Sequence, residues 1–271
     1  MNFAIENHTI FLGLGGSIAH GTSHATSDVD LKGVCVAPLN VRLSLFESFE
    51  QGEGDLPKGL EARVLPQLQE HPEAARGLSQ KLECTIFDIA KFLGLCASSN
   101  PNALEILFTD PTDWIIETPT WQTIYAVRHA FLTTRVQHSF VGYATGQLRR
   151  IQNHREELIK NGGPLDSRNA ARAELERKFG YDTKHAAHLV RLLRMALEAL
   201  ETGELQVKRK DAHELRAIKD GAWSYEDLID YAEKIGVAIK DAAVRSALPD
   251  QVDRQFVDDL MLAIATESLV A

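Results

Sequence analysis

Two aspartates one position apart, Asp28 and Asp30, follow a Gly-Ser pair, Gly16-Ser17, after about eleven residues. In a strand beginning near Asp28, alternation puts Asp28, Asp30 and Lys32 on one face and turns Leu31 and Gly33 to the other. Adjacent carboxylates repel, and keeping both ionised is costly unless a cation sits between them. Mg²⁺, a hard cation that takes a few carboxylates plus substrate phosphates, suits such a pair. Lys32 would offset part of that charge, touch a phosphate, or simply be solvated. Gly15-Gly16-Ser17 falls after an apolar run and before a short helix, an arrangement that leaves backbone N–H groups where the chain can approach an anion closely. Alone, such a turn is common. It lacks the lysine and spacing of a P-loop and the second half of a dinucleotide-binding fingerprint. Next to two carboxylates, it points to a phosphate carried with a metal ion.

The elements that must hold these residues can be read from the pattern. His8 to Gly15 and the run ending at Pro38 are short, apolar and β-branched, and both predict strands. Lys81 to Asp88 alternates, with Glu83, Thr85 and Phe87 on one face and Leu82, Cys84 and Ile86 on the other, which predicts a third strand. Asp88 is placed to cap a helix starting at Ile89, and Asn102 with Glu105 has capping-box spacing for the next one. Residues 40–80 show turn residues, acidic charge and little periodicity, so an excursion with short elements is expected there. After about Trp114 the period becomes helical, over about 119–160, 168–203, 224–246 and 251–270. The fold class expected is α/β (α+β): a small mixed-sheet domain over 1–115, then a helical domain over 116–271.

The stretch GGSIAHGTSHATSDVDLKGV, Gly15 to Val34, resembles the signature of the DNA polymerase β nucleotidyltransferase superfamily, Gly-Ser followed by Asp-x-Asp. It is most similar to the predicted nucleotidyltransferases of bacterial and phage RNA-repair operons. The likeness continues through FDIAKFLGLCASSNPNALEILF and KFGYDTKHAAHLVRLL. It implies a polymerase-β-like catalytic domain in which a hydroxyl attacks the α-phosphate of a nucleoside triphosphate such as ATP and pyrophosphate leaves. Two Mg²⁺ or Mn²⁺ ions are implied, held by Asp28 and Asp30, with Gly16 and Ser17 on the distal phosphates. Relatives often carry arginine where His20 stands; His20 is a candidate for the triphosphate or for a structural role.

Such a site needs a third carboxylate on a neighbouring strand, and Glu83 is the candidate for metal binding and catalysis. Relatives usually have aspartate there, and the extra methylene bears on how well the acceptor hydroxyl is activated. In the helical half, Lys184, His188 and Arg191 fall at i, i+4 and i+7 on one stripe, candidates for phosphate or base contacts. Tyr143, Gln147 and Arg150 form a similar stripe. An RNA or tRNA end is the first acceptor class implied. A protein or small-molecule hydroxyl is another, and a catalytically weak nucleotide-binding sensor or toxin–antitoxin-type module is the competing class.

Composition fits this frame. The chain has 271 residues, 44% hydrophobic and 25% charged, enough for one large core or two modest ones. Its first residues lack a signal-peptide pattern and no run is long enough to span a membrane, so a cytoplasmic protein is expected. Cys35, Cys84 and Cys96 are odd in number and widely spaced, as befits reduced, buried thiols. The net charge of -9 speaks against a chain coated in nucleic acid, yet residues 135–194 hold 12 Lys/Arg against 6 Asp/Glu. That local excess predicts one confined surface for a polyanion. Sequence leaves the choice of base and the oligomeric state open.

Overall fold

The computed structural model describes residues 3–79, 81–164 and 169–267. The expected helix start at 168, the helix end at 270 and the first two residues fall outside that range. The chain forms two compact units. The first comprises the described residues up to Phe131 together with Val207–Arg209 and those from Gln251 onward; the second comprises Leu132–Gln206 and Lys210–Asp250.

In chain order the first unit begins β1 (Thr9–Leu14), α1 (Gly16–Ala19), β2 (Val29–Cys35), α2 (Leu39–Arg42), β3 (Gln51–Gly54), α3 (Lys58–Glu70) and α4 (Ala74–Gly77). It continues with β4 (Leu82–Asp88), α5 (Ile89–Ala97), α6 (Pro101–Leu107), β5 (Trp114–Glu117) and α7 (Pro119–Ala126). The sheet is mixed and five-stranded, in the order β3-β4-β2-β1-β5. Only β2 and β4 run parallel; β1 is antiparallel to β2 and β5, and β3 to β4. The mixed sheet and the helical second half are those expected from the sequence.

One face of this sheet is a closed apolar layer. Leu12 and Leu14 of β1, Val29 and Leu31 of β2, and Cys84 and Ile86 of β4 pack against Leu60, Val64 and Leu68 of α3. Those three α3 residues recur every fourth position and are fully buried, so residues 40–80 hold, beside short elements, a helix that builds the core. Pro66 inside α3 and the flanking glycines and acids hid its periodicity. β3, also in this stretch, pairs with β4 at the sheet edge. All three cysteines are free and buried, and burial pushes the thiols up, that of Cys84 to about 12.

The expected boundary at 115 falls inside the first unit. Trp121 of α7 is fully buried and stacks on Phe11 of β1, ring centroids 3.9 Å apart, with Phe92 of α5 and Trp114 of β5 around it. The aromatic cluster ties the chain beyond 115 to the sheet. Trp121→Ala is expected to cost about 3–5 kcal/mol in denaturant unfolding, the usual range for emptying such a site.

The second unit is helical: α8 (Val136–Asn161), α9 (Ala170–Phe179), α10 (Thr183–Thr202), α11 (Ala212–Lys219) and α12 (Tyr225–Arg245). The long helix expected over 168–203 is two, because Gly180 adopts φ 78°, a left-handed stop, and Asp182 caps α10 by accepting the N–H of His185. α10 is the central helix, packed by α8, α11 and α12. The last helix, α13 (Arg254–Glu267), belongs to the first unit and packs on α5. Among the described residues, no helix is long and apolar enough to cross a membrane.

Candidate functional site

The second face of the sheet carries the chemistry. In the parallel β2–β4 pair Asp30 is opposite Glu83 and Lys32 is opposite Thr85, and partners in register project to the same side. Asp30 and Lys32 are half-buried, alternating with the buried Val29, Leu31 and Gly33. Asp28 precedes the strand and is exposed. The sheet therefore sets Asp30 and Glu83 side by side on adjacent strands, with Asp28 two residues before Asp30.

The turn after β1 closes over this face. Gly15 donates its N–H to the Asp30 carbonyl at 2.8 Å. Gly16 has φ 54°, and a Cβ there would strike the Asp30 carboxylate, whose Cγ would lie only 2.9 Å away. A Cβ at Gly15 would lie 2.7 Å from the Lys32 Cγ. Glycine is required at 16 twice over, by backbone angle and by contact. Ser17 follows, half-buried, and its carbonyl accepts the Thr22 N–H at 2.8 Å. α1 is only four residues long, so any anion here is held by individual N–H and hydroxyl groups and little by a helix dipole.

Glu83 forms an ion pair with Lys81. The hydrogen bond from the Lys81 ammonium holds the Glu83 carboxyl below the usual carboxylate range, and Glu83 in turn raises Lys81, with smaller contributions from Asp28 and Asp55. An ammonium thus sits where the carboxylates collect negative charge. The donor set of Asp28, Asp30 and Glu83 is all hard oxygen, which fits Mg²⁺ or Mn²⁺ in kind. Among the described residues, no three His, Cys, Asp or Glu side chains are gathered closely enough to hold a metal as they stand; Glu83 is turned to Lys81.

Beside the carboxylates lies a cavity of about 220 Å³, lined among others by Gly15, Gly16, His20, Lys32, Glu53, Thr85, Phe87 and Glu105. Its floor is the next row of the sheet: Glu53 of β3 pairs with Thr85 of β4, which pairs with Lys32 of β2. The Lys32 ammonium donates to the Thr85 hydroxyl at 3.0 Å. His20 is buried, and its Nε2 donates to the Glu105 carboxylate at 3.0 Å. Glu105 is therefore not a capping residue; α6 is capped by Asn100, whose side chain accepts the N–H groups of Asn102 and Ala103. Asp88 caps α5 as expected, and it also accepts the Ala37 N–H.

A short segment after α10 completes the wall. Val207 lines the cavity and Arg209 donates its N–H to the His20 carbonyl at 3.3 Å. Lys208 anchors the segment by pairing at 2.9 Å with Asp113, a fully buried carboxylate that also bonds His71. Sequence gave no sign of these three residues. Glu105, Thr85 and Phe87 were visible in it, the last two on the face of Glu83, but nothing marked them as cavity walls.

Lys184, His188 and Arg191 lie on α10 of the second unit. Lys184 is exposed, whereas Arg191 is buried and donates to the His188 Nδ1 at 3.1 Å and to the Met195 sulfur. Much of the basic excess of residues 135–194 is also spent within this unit: Arg155 pairs with Glu226, Arg172 with Asp182, and Arg194 with Asp211 and Glu214. Arg149 and Arg150 of α8 stay exposed.

Comparison with known proteins gives one solved structure to describe, the nucleotidyltransferase-like protein from Exiguobacterium sibiricum 255-15. It is 14% identical over 97% of this chain and 72% of its own, with a TM-score of 0.30. No curated protein sequence matches. A family model described as the RNA repair pathway DNA polymerase beta family, RlaP, matches residues 3–227. With its Gly-Ser turn seated on a sheet-borne carboxylate cluster, the chain belongs to the RNA repair pathway DNA polymerase beta family.

Proposed function

We propose that the protein is a metal-dependent nucleotidyltransferase that moves a nucleoside monophosphate from a nucleoside triphosphate to the hydroxyl of an RNA end. The observation that carries this reading is the pairing of Asp30 with Glu83 on one sheet face, with the Gly16 backbone packed against the Asp30 carboxylate. Phosphate-binding turn and carboxylates form one site. The acceptor oxygen forms a bond to the α-phosphorus as the bond to the β-phosphate oxygen breaks; pyrophosphate leaves with that electron pair, and the hydroxyl proton departs by way of the carboxylate cluster. Asp28, Asp30 and Glu83 would hold Mg²⁺ or Mn²⁺, which when bound supplies charge stabilisation for the attacking and leaving oxygens. Gly16 and Ser17 bind and orient the phosphates, and Lys32 and His20 border them. The three buried free thiols favour a reducing compartment, the cytoplasm.

Incubation with each α-labelled triphosphate, Mg²⁺ or Mn²⁺ and a mixed RNA pool should give labelled RNA. RNA as acceptor is favoured by the exposed Arg149 and Arg150 and by Tyr143 on α8, a pairing of cation and ring suited to a phosphate chain and its bases. Arg149→Ala with Arg150→Ala should weaken RNA binding and reduce the slope of log affinity against log salt by about 1.4, taking about 0.7 per lost phosphate contact on a single strand. An unchanged slope would remove α8 from the RNA site. The Lys81–Glu83 ion pair favours a second reading, a nucleotide-binding sensor with weak turnover. Nucleotide binding with no transfer to any acceptor would support it.

A further inference from the structure

The cavity beside the carboxylates is walled in a way that decides what enters it. Two carboxylates, Glu53 and Glu105, line it against a single ammonium, Lys32, and that ammonium is bonded to Thr85. His20 adds a ring already donating to Glu105. Gly16 and Lys32 mark the phosphate end of the cavity, and away from that end Glu53 and Glu105 would repel a phosphate. The rest of the lining is mixed, with Leu14, Ala19, Phe87, Ile106 and Val207 apolar and Thr85, Asn102 and Thr109 polar. A concave space that combines apolar side chains with a few fixed polar groups is how proteins hold a flat heterocycle.

Position supports the same conclusion. The cavity floor, Glu53–Thr85–Lys32, is one side-chain row along the strands from the Asp30–Glu83 row, about 6.6 Å at ordinary strand rise. A nucleotide whose phosphates lie at Asp30 and the Gly16 end of the cavity would place its base, across the width of a ribose, at the far end beside Phe87 and Glu105. Phe87 offers a ring for stacking.

Resting on the nucleotidyltransferase reading, we propose that this cavity receives the nucleobase of the donor triphosphate and selects bases that carry an exocyclic amino group. Glu105 sets the preference. Its side chain is 15% exposed and an ionised carboxylate only accepts hydrogen bonds. Adenine, cytosine and guanine present an amino group to such an acceptor. Uracil presents one N–H flanked by two carbonyl oxygens, which would face the carboxylate with like charge. Asn102, one helical turn before Glu105 and also at the cavity, adds an amide that can both donate and accept.

The near-isosteric pair CTP and UTP, differing in amino against oxo at C4 and in a bare N3 against N3–H, tests this with Ca²⁺ in place of Mg²⁺ to limit turnover. Dissociation constants are to be measured by calorimetry for the wild-type protein, Glu105→Gln and Asp28→Ala/Asp30→Ala, with circular dichroism melts confirming that each variant is folded. CTP should bind wild type at least about tenfold tighter than UTP, the scale of one good base-edge contact. Glu105→Gln, whose amide can donate to a carbonyl, should bring the two within about threefold. The aspartate pair should weaken both nucleotides and leave their ratio alone. Equal binding of CTP and UTP to wild type, or a ratio that Glu105→Gln does not move, overturns the base assignment while the transferase reading stands. If no triphosphate binds wild type at all, it is the transferase reading that fails.

Discussion

Asp28→Ala combined with Asp30→Ala is expected to lower nucleotidyl transfer by at least roughly 10³-fold, the scale seen when charge stabilisation at a reacting centre is removed. Stability should move little. Asp28 is exposed ahead of β2, and Asp30 is half-buried beside Glu83 on the neighbouring strand. Neither side chain belongs to the apolar layer, so unfolding free energy should stay within about 1 kcal/mol of wild type. Loss of activity with the fold intact separates a catalytic cluster from a structural one. Retained transfer in the double variant would move the chemistry elsewhere.

The second large effect is expected from Gly16→Ala. At φ 54° an alanine is strained, and its Cβ would meet the Asp30 carboxylate. Strain and collision together should cost about 1–3 kcal/mol of stability. Activity should fall further, by about 10²-fold, because displacing Asp30 or the turn by even about 1 Å misplaces the reacting groups. Gly162→Ala provides the comparison: Gly162 also has a left-handed φ, 68°, but nothing lies within 4 Å of a Cβ there. It should cost strain without lost transfer. Equal activity loss in both variants would mean that Gly16 matters only through overall stability.

Part of this architecture was legible in the residues and part was not. Strands β1, β2 and β4 stood out because alternation and glycine or proline stops coincide. The pairing of Asp30 with Glu83 follows once β2 and β4 are neighbours, but adjacency and parallel register are tertiary facts that no local pattern encodes. α3 escaped because Pro66 inside it and the turn residues around it masked the fourfold spacing of Leu60, Val64 and Leu68. Glu105 was misread for a different reason: it stands three residues from an asparagine, the spacing of a cap, whereas its partner His20 is 85 residues away. The walls supplied by Val207–Arg209 come from still further along the chain. Local chemistry announced the carboxylates and the turn; long-range packing chose their neighbours.

The same limit applied to charge. An excess of Lys/Arg over residues 135–194 was real, but Arg155 and Arg194 find their partners in Asp211, Glu214 and Glu226, outside that window. Burial would lower the Arg194 pKa, and its bonds to Glu214, Asp211 and Tyr231 more than offset that and raise it. Such arginines are fixed structural elements. Arg149, Arg150 and Lys160 are the exposed cations that α8 offers a polyanion.

The most direct test of the central claim follows two phosphorus atoms of one substrate. Wild-type protein is given a triphosphate labelled at the α-position in one reaction and at the γ-position in another, with Mg²⁺ and an RNA pool. The account requires the α-label on RNA and the γ-label in released pyrophosphate, both lost with Asp28→Ala/Asp30→Ala. A γ-label appearing on RNA, or α-label transfer that survives the double substitution, would contradict it.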